Sequence, residues 1–248
     1  MSYLQRYLYA ISLYSRSLLF SIVMIITTIL QFGLCVLGSP FPLRVRYFLI
    51  ATYNRIILWE LRIICGIKWE IKGLENIPPA GNGIILSKHQ STWETLMIPT
   101  LFYQPAIIIK KELLWVPFFG WGLATIDPIA INRSEKSSAM EQIIKKGQKC
   151  LANGRWILIF PEGTRIPFGK VGKYHLGGAR LAIATERGII PIAHNAGLFW
   201  PKRQLLKRPG TVQMVIGKMI ETKDRKPEEI TEEVKQWIEK TIIEINSE

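Results

Sequence analysis

Residues 156–165 read Trp-Ile-Leu-Ile-Phe-Pro-Glu-Gly-Thr-Arg, a strand-length apolar run that breaks straight into an acid, a glycine, a hydroxyl and a guanidinium. An apolar run of this length, stopped by Pro161, marks a strand buried in a sheet. Working outward, the runs Lys68–Lys72, Gly83–Ser87, Ala106–Ile109, Ile126–Ile131, Ile189–Ala193 and Thr211–Ile216 have the same β-rich character. Helical periodicity lies between and after them, over Thr92–Phe102, Lys136–Ala152, Leu176–Arg187 and Pro227–Ile245. Alternation of this kind predicts one α/β domain, a largely parallel mixed sheet flanked by helices, over residues 66–248. In the last helix Ile230, Val234, Trp237 or Ile238, Ile242 and Ile245 share a face that packs on the sheet, and the acidic face is left to solvent.

The strand ends carry the chemistry. His89 follows the apolar run Gly-Ile-Ile-Leu-Ser-Lys and precedes Gln-Ser-Thr-Trp-Glu94. A histidine at the end of a sheet strand, facing a helix start, sits where open α/β sheets form clefts. With Ser91 as helix N-cap, Glu94 points back to the helix start. There it can accept a hydrogen bond from one ring nitrogen of His89 and leave the other as a general base. The competing reading is a capping box in which Glu94 binds the Ser91 backbone N–H. After the strand at 156–160, Gly163 lets backbone approach a ligand, successive N–H groups can form an anion nest, and Arg165 offers a planar fork for phosphate. Lys110, Lys111 and Arg133 add positive potential near the same strand ends, or are solvated surface charges. His194 and Asn195 read as satisfied polar groups ending a core strand, and His175 as part of a helix entry.

Charge and apolar character are segregated. The chain has 248 residues, a net charge of +13 and 48% hydrophobic residues. That hydrophobicity excludes intrinsic disorder and argues against a soluble nucleic-acid-binding domain. A basic, apolar chain fits an anionic membrane surface. The total resolves into +2 over residues 1–43, +15 over 44–220 and −4 over 221–248. Ser17 to Leu43 holds no charged side chain, long enough to cross a hydrocarbon core of ~30 Å. Arg44 to Ile67 mixes four arginines with Phe48, Ile56, Trp59 and Ile63, which predicts an interfacial amphipathic helix, separated from the first by Pro40 and Pro42. Composition alone favours a single span, with the arginine-rich flank and the rest of the chain in the cytoplasm. Cys35, Cys65 and Cys150 are too scattered for a metal site or a disulfide framework.

The blocks Lys-His-Gln-Ser-Thr-Trp-Glu, Lys-Lys-Glu-Leu-Leu-Trp-Val-Pro-Phe-Phe-Gly-Trp, Ile-Asp-Pro-Ile-Ala-Ile-Asn-Arg, Phe-Pro-Glu-Gly-Thr-Arg and Ile-Ile-Pro-Ile-Ala-His-Asn-Ala-Gly follow one another from about Lys88 to Gly197. In this order they resemble the glycerolipid acyltransferases, and among them those acting on 1-acyl-sn-glycerol 3-phosphate. The departure is Glu94, where that family usually has aspartate. The resemblance implies acyl transfer from a thioester, acyl-CoA or acyl-acyl carrier protein, to the sn-2 hydroxyl of lysophosphatidic acid, giving phosphatidic acid. His89 would be the base and Glu94 its orienting carboxylate. Glu162, Gly163, Thr164 and Arg165 would hold the glycerol phosphate. Lys110 and Arg133 would assist with phosphate, with Lys111 a substitute for Lys110. It implies no metal, no cofactor beyond the acyl donor and no acyl-enzyme. It also moves the N-terminal reading from a single span to two membrane-embedded helices over residues 1–65, with the catalytic domain on the cytoplasmic side of a bacterial inner membrane. Another glycerolipid or lipid A acyltransferase, a non-catalytic basic membrane scaffold and a degenerate enzyme remain as alternatives.

Overall fold

The computed structural model describes residues 2–132 and 136–247, and the backbone alone for residues 136–139. In chain order its elements are α1 (Tyr3–Gly38), α2 (Leu43–Cys65), β1 (Ile67–Lys72), β2 (Ile84–Ser87), α3 (Trp93–Leu101), β3 (Ala106–Lys110), α4 (Phe119–Ala124), β4 (Ile129–Ile131), α5 (Lys136–Ala152), β5 (Ile157–Ile159), α6 (Gly177–Ala184), β6 (Ile189–His194), α7 (Ala196–Phe199), β7 (Gly210–Ile216) and α8 (Pro227–Ser247). The strands form one sheet in the order β1-β7-β6-β2-β5-β3-β4. Strands β6, β2, β5, β3 and β4 run parallel; β7 is antiparallel to β6, and β1 is parallel to β7. The largely parallel mixed sheet expected from the alternation is therefore present.

Strand β2 is central. The chain leaves it towards β3 and β4, returns through β5 at its side, and crosses to β6 on its other side. Side chains of β2, β5 and β6 are buried along their whole length, which is why these segments read as continuous apolar runs. Two cores result. One joins Trp93, Met97, Trp156 and Leu158 to α2 and α1; the other joins Ile84, Leu86, Ile157 and Leu181 to Ile230, Val234 and Ile238 of α8.

Three expectations are refined. The strand over Ile126–Ile131 begins only at Ile129, because Asp127 adopts a positive φ of 49° ahead of Pro128. The helix over Leu176–Arg187 ends at Ala184, and Glu186 takes φ 51° in the turn after it. The apolar stretch Ser17–Leu43 is not one element: its part up to Gly38 ends a longer helix that begins at Tyr3, and Leu43 opens a second helix.

Helix α1 has 36 residues, roughly 54 Å of rise. It does not stand clear of the domain. Arg16 Nε donates to the Ile64 carbonyl, Thr27 Oγ1 to Glu60 Oε1 at 2.7 Å, and Gln31 Nε2 to the Leu49 carbonyl at 2.8 Å, all on α2. Phe20 is fully buried, edge-on to Trp200 at 5.4 Å, and Phe32 meets Phe118 and Trp121. From Arg16 to Phe32 the helix is thus fastened along the protein, and only its opposite face, with Leu18, Ile22, Ile25, Ile26 and Leu30, is exposed.

Candidate active site

His89 leaves the carboxyl end of β2, and two short segments fix it. The first is the start of α3. Glu94 lies one residue inside that helix, with its carboxylate fully buried and turned back to the helix start. Oε1 accepts from His89 Nδ1 at 2.8 Å, from the Gln90 N–H at 3.0 Å and from the Ser91 N–H at 2.8 Å; Oε2 also accepts from Ser91 at 3.1 Å. The His89 contact and the capping contact expected for Glu94 as competing readings are therefore made by one carboxylate at the same time. The N-cap position falls on Thr92, one residue later than expected, while Ser91 Oγ accepts from the Trp93 N–H at 3.2 Å. Because an ionised carboxylate only accepts, Nδ1 of His89 carries the proton and Nε2 is left with its lone pair. The His89 side chain is 15% exposed, enough for one ring edge to meet a ligand.

Burial pushes the Glu94 pKa up, but His194, His89 and the Ser91 N–H together outweigh it and hold the carboxyl below its usual range. His194, at the end of β6, lies beside this pair, with Nε2 3.9 Å from Glu94 Oε2. Its Nε2 donates to the Lys88 carbonyl at 2.9 Å and its Nδ1 accepts from the Ala196 N–H at 3.3 Å, the pattern of a neutral imidazole. Burial lowers its pKa, against the pull of Glu94. The expectation of a satisfied polar group holds for His194, and the structure adds that it braces the Lys88–His89 backbone.

The second segment is the Phe160–Arg165 turn at the end of β5. The Phe160 ring stacks on the His89 imidazole with centroids 4.0 Å apart and planes 18° from parallel. The His89 backbone is clamped at both ends: its N–H donates to Glu162 Oε2 at 3.0 Å, and its carbonyl accepts from the Ile166 N–H at 2.8 Å. Glu162 thus faces inward. Its other oxygen pairs with Lys88 Nζ at 2.8 Å, and Lys88 pairs also with Glu239 of α8 at 2.7 Å, which accepts from Tyr174 Oη at 2.8 Å. Desolvation raises the Glu162 pKa, and Lys88 opposes it. Gly163 takes φ 66°, a backbone state natural to glycine, and its N–H closes the turn on the Phe160 carbonyl at 3.0 Å. That turn leaves Thr164 exposed and Arg165 half-buried at the surface of the cleft.

Lys110 ends β3 and is exposed, and Lys111 opens the short 3-10 turn Lys111–Trp115. Adjacent strands lie ~4.8 Å apart, so β3, two places from β2, brings Lys110 to the same sheet edge roughly 10 Å from the end of β2. Arg133 lies outside the described residues, just beyond β4. His175 is exposed two residues before α6, and its backbone N–H donates to the Pro161 carbonyl at 2.9 Å. Three participants were not singled out by the sequence: Lys88, Glu239 and Lys202. Lys88 and Glu239 have no local signature, since their partners are 65 to 151 residues away. Lys202 Nζ donates to Thr164 Oγ1 at 3.1 Å and to the Arg165 carbonyl at 3.0 Å; its only trace in the sequence is a basic run after Trp200-Pro201. Among the described residues no three His, Cys, Asp or Glu side chains converge as metal ligands.

A buried carboxylate, a histidine whose Nε2 lies outside the carboxylate contact and an arginine-bearing turn lie together on the carboxyl edge of a parallel sheet, an arrangement suited to acid–base chemistry. The family profile described as Acyltransferase matches residues 68–195, the span holding all of these groups, and the chain belongs to that family. A Pseudomonas aeruginosa protein named 1-acyl-sn-glycerol-3-phosphate acyltransferase is 46% identical over 209 residues, 83% of this chain and 81% of its own length. A Borreliella burgdorferi protein of the same name is 33% identical over 162 residues, 64% of this chain and 62% of its own. The crystal structure of the 1-acyl-sn-glycerophosphate (LPA) acyltransferase PlsC from Thermotoga maritima shares the fold, with a TM-score of 0.80 over 96% of this chain and 98% of that one at 23% identity.

Proposed function

We propose that this protein is a 1-acyl-sn-glycerol-3-phosphate O-acyltransferase, moving a fatty acyl group from acyl-CoA or acyl-acyl carrier protein to the sn-2 hydroxyl of lysophosphatidic acid. The observation that carries the reading is the 2.8 Å contact of His89 Nδ1 with buried Glu94, which leaves Nε2 free on a residue whose carbonyl is bonded to Ile166, directly after the Thr164–Arg165 turn. In the reaction Nε2 takes the sn-2 hydroxyl proton as the oxygen attacks the thioester carbonyl. The imidazolium that forms is stabilised by the Glu94 carboxylate 2.8 Å away. The tetrahedral intermediate then expels the thiolate, which receives that proton, so no acyl-enzyme is required. Arg165 with Lys110 and Arg133 would bind the acceptor's phosphate. Glu162, turned inward on His89 and Lys88, is assigned to positioning the base rather than to touching substrate.

Residues 1–65 are read as the membrane anchor and 66–248 as the catalytic domain. From Leu18 to Leu37 the exposed face of α1 is apolar, and α2 exposes Phe48, Ile56, Trp59 and Ile63 beside Arg44, Arg55 and Arg62. Since α1 is fastened to the domain from Arg16 to Phe32, the pair is read as lying in the membrane interface on the cytoplasmic side. An acceptor and product that both live in the bilayer would then reach the cleft without full extraction into water.

The test is acyl transfer to lysophosphatidic acid by purified protein with each thioester donor, beside His89→Ala. Wild-type turnover that His89→Ala reduces by at least about 10²-fold is expected, the scale of a lost general base. An inactive wild type with both donors, or an undiminished variant, refutes the reading.

A further inference from the structure

We propose that Lys202 is a further substrate-binding residue, a cation that completes the phosphate site of the acceptor together with Arg165. The inference rests on the functional reading above and adds a residue outside the matched family span 68–195.

Lys202 sits on an irregular segment between α7 and β7, and both ends of that segment are pinned. On one side the Trp200 carbonyl accepts from Ser91 Oγ at 2.7 Å, three residues before Glu94. On the other, Lys207 N–H donates to Ser17 Oγ at 2.9 Å, and its Nζ donates to Ser21 Oγ at 3.1 Å. That ammonium also lies over the Phe20 and Trp200 rings at 5.3 and 5.6 Å. The position of residue 202 is therefore set by α1 and by the loop that carries the base.

From this fixed base Nζ reaches across the cleft to the Thr164 hydroxyl and the Arg165 carbonyl. An ammonium has three protons and no acceptor capacity, so two are directed to the turn and the third remains for a ligand. The Arg165 carbonyl fixes where the ammonium stands, and Thr164 Oγ1, accepting from it, has its own proton free to donate. Lys202, Thr164 and Arg165 thus offer one set of donors at the surface of the cleft, and among the described residues no ion pair joins a carboxylate to Lys202 or Arg165. A surface of three such donors suits a phosphate dianion. A simple surface lysine would project into water, with nothing holding it to the turn.

The experiment compares wild type, Lys202→Gln and Lys202→Arg as full-length protein, measuring kcat and KM for lysophosphatidic acid and the inhibition constant of glycerol 3-phosphate. Removing one charge-assisted contact to phosphate predicts KM and the inhibition constant both about tenfold higher in Lys202→Gln, with the loss carried by KM rather than kcat. Lys202→Arg, which keeps the charge, recovers most of both. An unchanged inhibition constant in Lys202→Gln overturns the assignment, whether or not kcat falls, because a loop-bracing lysine would affect turnover alone. A wild type inactive on lysophosphatidic acid overturns the functional reading and this assignment with it. An active wild type with an unaltered variant overturns this assignment only.

Discussion

Replacing Glu94 by glutamine separates charge from scaffolding at the centre of the site. The amide oxygen can occupy the place of Oε1 and keep the bonds from His89 Nδ1, Gln90 and Ser91. The amide nitrogen then stands at Oε2, where it faces the Ser91 N–H that was 3.1 Å away. One donor–donor contact of this kind costs about 1 kcal/mol, a fall in Tm of roughly 2–4 °C for a chain of this size. The effect on chemistry is larger. Two opposite charges about 4 Å apart attract by about 4 kcal/mol at an effective dielectric near 20, and the imidazolium of the transition state loses that attraction. Turnover should therefore fall by about 10³-fold in a protein that still folds. Steady-state acyl transfer monitored by thiol release, with far-UV circular dichroism on the same samples, reads both quantities. A folded Glu94→Gln variant within tenfold of wild-type turnover refutes the orienting role, and a variant that fails to fold leaves only the capping role.

Two further perturbations probe the surroundings. His194 is buried and neutral with a pKa below that of the unfolded chain, so its contribution to stability is full above about pH 6.5 and is lost as pH falls below it, by at most about 1.4 kcal/mol per pH unit. Glutamine can donate to the Lys88 carbonyl and accept from the Ala196 N–H without titrating, so the wild-type loss of denaturation free energy between pH 7 and 5.5 should be shallower in His194→Gln; equal slopes would count against this. Lys88→Met leaves the Glu162 and Glu239 carboxylates facing each other without their shared cation. Breaking a buried pair in this way costs about 3–5 kcal/mol, and thermal unfolding should show Tm lowered by roughly 10 °C.

The sequence by itself determined the alternating elements, the parallel sheet and the residues at its strand ends. Runs such as Ile84–Ser87 and Ile157–Ile159 are legible because strands buried on both faces must be apolar throughout. His89 and the Glu162–Arg165 turn were legible because they stand at the ends of such runs, and Glu94 because it lies five residues after His89 at a helix start. The strand boundary at Ile129 was not, since it depends on one residue's backbone angle. The tertiary structure alone decided that Glu94 acts as cap and as partner of His89 at once, because both uses converge on one buried carboxylate. It alone turned Glu162 inward and brought Glu239 of α8 to Lys88. It alone held α1 against the domain through Phe20, Trp200 and Lys207, so that a stretch long enough to span a bilayer lies along the protein. Hydrophobic periodicity reports which face of an element avoids water. Which distant group fills the other side of a buried charge depends on chain crossings that no local pattern encodes.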